Sequence, residues 1–243
     1  MKTVKLLLSF LAVVLFASCA KTQSESYGTV DLSINQDQVL EDVTKSNVSD
    51  YTTLPSLDNF TVSIVDAAGG VFWSGLINDW DPETKLLAGE YTANASYGDL
   101  ENEGFDKPYF EGTQTFTVAG DQITDVVIPV ALGNTVVRVE CTEIFKNYFK
   151  DYSFSLVRGS VELAKYVKGE DKAAFVDAYG LSITGKCTNE VGQVSSFSQE
   201  LTGLAPTKAY TCLFDVDGVG GKTVTLSFND TVETIDLGDI ELN

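Results

Sequence analysis

One cysteine and the residues just before it offer the plainest chemistry in this 243-residue chain. Ala17 and Ser18 place two small side chains ahead of Cys19, which lets a peptidase reach the bond before the cysteine and leaves the thiol free to carry a lipid. Upstream, Lys2 and Lys5 supply a positive start, and Leu6 to Phe16 form an apolar run too short to span a bilayer. The spacing predicts a bacterial lipoprotein in which residues 1–18 are removed, Cys19 is lipidated and residues 19–26 form a polar tether. Three acyl chains exceed what stable anchoring needs, since each buried methylene contributes about 0.8 kcal/mol. No second apolar run of spanning length is present in the sequence, so the lipid is the expected membrane attachment, at the surface or the periplasmic face of an outer membrane.

The rest of the chemically capable residues exclude more than they promise. The chain has no histidine, which removes Ser-His-Asp and Cys-His nucleophile systems and the usual imidazole-based zinc ligand sets. Carboxylate pairs could still run glycosidase chemistry, but acids scattered over the loops of an acidic protein read as solvation. Cys141, Cys187 and Cys212 sit in the inward phase of their strands and read as small core residues; a Cys187–Cys212 bridge is the alternative. Asn78 to Glu83 and Asp215 to Gly218 are acidic enough to suggest calcium, but turn formation explains the same residue types. The expectation is a protein without catalytic residues, metal or cofactor. Two aromatic side chains remain as possible ligand contacts: Trp80, set between Asp79 and Asp81 in a turn, and Tyr109, in the ring-rich loop from Gly98 to Glu111. That loop either presents a stacking platform for a sugar or folds its rings over the open edge of a sheet.

Charge narrows the partners. With Lys2 and Lys5 gone, 14 of the 16 basic residues remain against 35 acidic ones, and the net charge moves from −19 to −21. Such a surface repels nucleic acid and anionic headgroups, and only Arg138 and Arg158 are available for bidentate phosphate recognition.

The elements that must position these residues are strands. Val30, Leu32 and Ile34 alternate with polar residues, as do Phe60, Val62 and Ile64, then Tyr91, Ala93, Ala95 and Tyr97, and Val126, Ile128 and Val130. Between the first two, Asn35 to Ser56 is polar and aperiodic and reads as an exposed loop or mobile arm. Thr142 and Glu143 predict the cap of one short helix with Ile144, Phe145, Tyr148 and Phe149 on one side. Asp171 to Tyr179 is compatible with a helical turn or a strand. The predicted fold is all-β: two tandem Ig-like or transthyretin-like β-sandwich domains, residues 27–132 and 133–243, with the helix in the second. A faint echo between Leu87 to Thr92 and Leu204 to Thr211 suggests two copies of one design.

Leu87 to Asp99, Phe105 to Gly112, Phe116 to Val118, Phe145 to Ser153 and Phe214 to Gly218 together resemble the pattern of the domain of unknown function 4493 family, lipoproteins of Bacteroidetes. The resemblance spans nearly all of the chain after Cys19. It implies tandem sandwiches similar to fimbrillin-type subunits and anchors, and hence a structural or adhesive, possible pilus-associated surface role rather than an enzyme. Protein subunits are the implied partners. A glycan-binding lipoprotein serving a polysaccharide-uptake system is the alternative. By the same likeness Lys45 occupies the position of a processing loop, and Asp230-Thr231-Val232 is similar to a Bacteroidetes O-glycosylation acceptor with Thr231 as the modified residue.

Overall fold

The computed structural model describes residues 25–40, 46–217, 223–228 and 231–236. Its first half holds β1 (Tyr27–Gln36), β2 (Thr61–Asp66), β3 (Val71–Leu76), β4 (Leu86–Leu87), β5 (Gly89–Tyr97), β6 (Gly104–Phe105), β7 (Phe110–Val118) and β8 (Ile123–Leu132). The second holds β9 (Thr135–Cys141), helix α1 (Glu143–Tyr148), β10 (Phe149–Arg158), β11 (Val161–Val167), β12 (Ala174–Val176), β13 (Leu181–Asn189), β14 (Val194–Glu200), β15 (Ala209–Asp217), β16 (Thr223–Phe228) and β17 (Thr231–Asp236). The chain is all-β, with α1 the single α-helix among the described residues. No helix among them is long and apolar enough to cross a membrane.

In the first half the strands run β3-β2-β5-β7 and then β8-β1-β4. β7 pairs with β8 only from Phe110 to Gly112 against Val130 to Leu132. Nearer their turn the two strands diverge, each into its own layer. Gly112 sits at that corner, where a Cβ would lie 1.9 Å from the Pro129 carbonyl oxygen, so no larger residue fits without moving backbone. Period-two alternation sends Val30, Val62, Ile64, Ala93, Phe116, Val126 and Ile128 into one core between the layers.

The second half repeats this plan strand for strand. One layer runs β11-β10-β13-β14, the other β15-β9-β12, and β9 lies parallel to β15 as β1 lies parallel to β8. The antiparallel hairpin β16–β17 then extends the β15 side. The repeat sets β5 against β13, so the sequence echo that matched the start of β5 to the approach to β15 joins non-equivalent strands. Phe154 of β10 and Phe214 of β15 stack across the two layers at 4.2 Å, and Phe145 of α1 packs against both. Such ring pairs contribute about 0.5–1.5 kcal/mol beyond their burial.

α1 is capped as its sequence predicts, with Thr142 Oγ1 accepting from the Phe145 amide at 3.1 Å. Its buried side is narrower than expected: Phe145 is fully buried, Ile144 is 63% exposed and Phe149 already begins β10. The larger departure is Asn35 to Ser56. Residues 35 and 36 belong to β1, Val39 bridges Asn47, and Val48 to Asp50 form a 3-10 turn. Leu40 and Val48 are buried in the first core, so the described part of this stretch is packed structure rather than a free arm. Two apolar residues in a polar stretch were enough to anchor it.

Candidate functional site

The two halves meet through a strap. Between β5 and β7 the chain reaches out as β6 and pairs with β12, extending the second half's sheet. Phe105 lands edge-on against Tyr166 at 5.1 Å and 88°. β12 is buried on both faces: Phe175 belongs to the first core, Ala174 and Val176 to the second. β9 behaves alike, with Val136 in the first core and Val137 in the second. The ring-rich loop therefore covers the seam between the halves, while Phe110 fills the first core.

Of the residues singled out from the sequence, Cys19 and Lys45 lie outside the described residues, and Thr231 opens β17. Trp80 is only 9% exposed, its indole N–H donates to the Val30 carbonyl at 3.0 Å, and its ring meets Trp73 edge-on at 5.1 Å. The expectation of an exposed ring there is corrected: the 3-10 turn Ile77–Asp79 folds it back under β1. Cys141, Cys187 and Cys212 are all free thiols. Burial pushes each of them up to about 12, which keeps them protonated and poor nucleophiles. The acidic loops spend carboxylates on their own backbone, Asp81 accepting from the Glu83 amide at 2.9 Å and Asp215 from the Val216 amide at 2.8 Å.

Tyr109 is half-buried, and it stands at the rim of a trough of about 550 Å³ on the outer face of β3, β2, β5 and β7. The cross-strand register explains the trough. Ser74, Ser63, Asn94 and Thr113 are direct partners across the four strands, and Thr61, Ser96 and Glu111 form the next row. Rows of short side chains leave the sheet surface low between its taller rim residues. Thr113 Oγ1 donates to Asn94 Oδ1 at 2.9 Å. The Tyr109 hydroxyl donates to Glu111 Oε2 at 2.9 Å, and burial together with that carboxylate pushes the phenol up to about 12, so it stays neutral.

Among the described residues the trough's outer strand, β3, pairs only with β2, and it carries no charged side chain. Val71 is 66% exposed and Phe72 and Leu76 are each 44% exposed. Sequence reading missed both trough and edge. The outward positions of β2, β5 and β7 looked like ordinary solvated strand faces, and the signal available was their lack of lysine and aspartate in a chain that is 21% charged.

The model of the family described as Domain of unknown function (DUF4493) matches residues 26–243. No curated protein matches the chain. Among solved structures, a candidate adhesin of Bacteroides thetaiotaomicron is similar at 11% identity and a TM-score of 0.48, covering 88% of this chain and 99% of its own. A candidate polysaccharide-binding protein of the same organism gives 9% and 0.47, covering 86% and 98%. The fimbrial anchor protein Mfa2 of Porphyromonas gingivalis gives 11% and 0.44, covering 85% and 98%.

Proposed function

We propose, from the premise that the chain belongs to the DUF4493 family, that it is a non-enzymatic surface lipoprotein, held in the outer membrane by Cys19 and acting as a structural or adhesive subunit. The observation that carries the assembly part of this reading is the edge of β3. Natural sheets blunt an open edge with lysine, proline or a covering element, because unpaired backbone groups template another chain. β3 has none of the first two and presents three exposed apolar side chains instead. An extended segment of a partner subunit could add there, with backbone hydrogen bonds giving affinity and Val71, Phe72 and Leu76 giving specificity. The chemistry of the chain is consistent with such a role. Its buried thiols are held protonated, and its loop carboxylates cap turns.

The two sandwiches, divided near Gly133, are then one rigid piece in this reading, because β6 and the shared strands β9 and β12 tie them together. Rigidity suits a subunit that transmits load between a membrane anchor and a partner.

The test uses cells producing the wild type, Cys19→Ala and Val71→Lys. Wild type should incorporate a palmitate analogue, be cleaved by protease added outside intact cells, and co-purify with partner subunits after cross-linking. Cys19→Ala should lose label and surface exposure together. Val71→Lys should keep both and lose the cross-linked partners. Label persisting in Cys19→Ala defeats the anchor assignment, and partners retained by Val71→Lys defeat the edge.

A further inference from the structure

We propose that the trough over β3, β2, β5 and β7 is a binding site for a neutral oligosaccharide. The inference rests on the reading of the chain as a surface protein and names what that surface would hold. Charge decides the class of ligand. Of the ten residues lining the trough, Glu111 alone is charged, in a chain where 21% of residues are Asp, Glu, Lys or Arg. A face kept this free of charge is unsuited to sulfated or sialylated chains, to phosphates and to nucleic acid, all of which want cationic side chains. The one carboxylate adds repulsion to that list.

Seven of the other nine lining residues carry a hydroxyl or an amide, with Ala95 and Gly112 completing the floor, and such groups are the complement of a ring bearing neighbouring hydroxyl groups. Their orientation is partly fixed in advance. Asn94 Oδ1 is taken by Thr113, leaving the Asn94 NH2 group as a donor. Glu111 is held at one oxygen by the Tyr109 hydroxyl, leaving its other oxygen as an acceptor. Tyr109 forms a wall at one end, where the face of a sugar can rest on the half-buried phenol. Four strands at a spacing of about 4.8 Å give a floor roughly 14 Å across, room for a short oligosaccharide rather than a single ring. An extended peptide would take the edge of β3 instead, where backbone groups are open.

The experiment uses the full lipoprotein in a zwitterionic detergent, probed with neutral gluco-, manno- and galacto-oligosaccharides and with sialylated and sulfated counterparts. Wild type should bind at least one neutral series and none of the anionic ones. Ser63→Arg, which fills the middle of the floor, and Asn94→Asp, which replaces the donor with a second carboxylate, should each weaken that binding by about tenfold or more, with unchanged unfolding temperature. Thr117→Lys, farther along the outer face of β7, should bind as wild type does. Absence of binding to every neutral series, preference for an anionic series, or binding that survives Ser63→Arg in a folded protein would each overturn the site. Because these measurements use purified protein, they stand or fall separately from surface exposure: a protein that binds neutral sugars but is shielded from external protease would overturn the surface reading alone.

Discussion

Glu103, in the connection between β5 and β7, grips Arg158 at the end of β10 with both carboxylate oxygens, Arg158 Nη2 lying 2.9 Å from Oε1 and Nη1 donating to Oε2. The same Oε1 accepts the Asp177 amide at 2.6 Å, and Arg158 also donates to the carbonyls of Tyr179 and Asp177. The Glu103 side chain is only 6% exposed and the Arg158 side chain 34%. A buried charge from one half thus finds its partners in the other. Glu103→Ala should cost about 2–3 kcal/mol, below the range for fully buried pairs because the arginine is part-solvated. Calorimetry should show a Tm lowered by about 4–10 °C, with Arg158→Ala similar and the double variant less than additive. An unchanged Tm would place the pair among surface ion pairs that contribute little.

Gly104 makes the strap possible. Its φ is +129°, and a Cβ there would lie 2.8 Å from the Leu163 carbonyl oxygen. Where the backbone tolerates it such a change stabilises by up to ~1 kcal/mol, but at this φ Gly104→Ala should destabilise by more than that amount and loosen β6 from β12. Hydrogen exchange would read this as faster exchange of the β12 amides. Unaltered protection in β12 would mean that the strap survives on Phe105 and the Glu103–Arg158 pair.

A different behaviour is expected at high pH. The Cys187 and Cys212 thiols move from 9.0 to about 12 because folding buries them. The folded state then keeps protons that the unfolded chain gives up. The stabilising contribution is fully present below the unfolded value near 9 and is lost as pH rises toward 12. Each thiol steepens the fall in stability by up to about 1.4 kcal/mol per pH unit in that window. Urea titrations of wild type and Cys212→Ala, on either side of the window's lower end, should converge in slope below it and separate above it. Parallel slopes throughout would show that the thiol is reached by solvent. Mass spectrometry of alkylated, unreduced protein should find all three thiols free.

How much of this was legible in the sequence follows from how each strand is buried. Strands with one wet face, such as Tyr91 to Tyr97, alternate and are readable. Ala173 to Val176 does not alternate, since β12 feeds one core with Phe175 and the other with Ala174 and Val176, and a doubly buried strand resembles a short buried helix. The same double burial hid the strap, whose partner strand carries no signature of its own. Leu40 and Val48 were unreadable for the opposite reason: two anchors separated by a polar turn have no period. The trough depends on which residues become cross-strand partners, and that is set by pairing register between strands up to about fifty residues apart in the chain, which no local window contains.

The last expectation concerns Trp80, whose acidic neighbours disguised it as a surface ring. Trp80→Ala should remove a packed indole from beneath β1 and leave the Val30 carbonyl without its donor, at about 3–5 kcal/mol in a denaturant titration. Trp80→Phe loses the N–H and part of the ring but keeps most of the volume, so its cost should fall clearly below that of Trp80→Ala. Neither change touches the trough, which lies on the opposite face of β2 and β5. Folded Trp80→Phe should therefore bind neutral oligosaccharides as wild type does, while Ser63→Arg does not. A Trp80→Ala protein of near wild-type stability that has lost its sugar would return the ring to the surface and move the binding site from the sheet face to the β3–β4 loop.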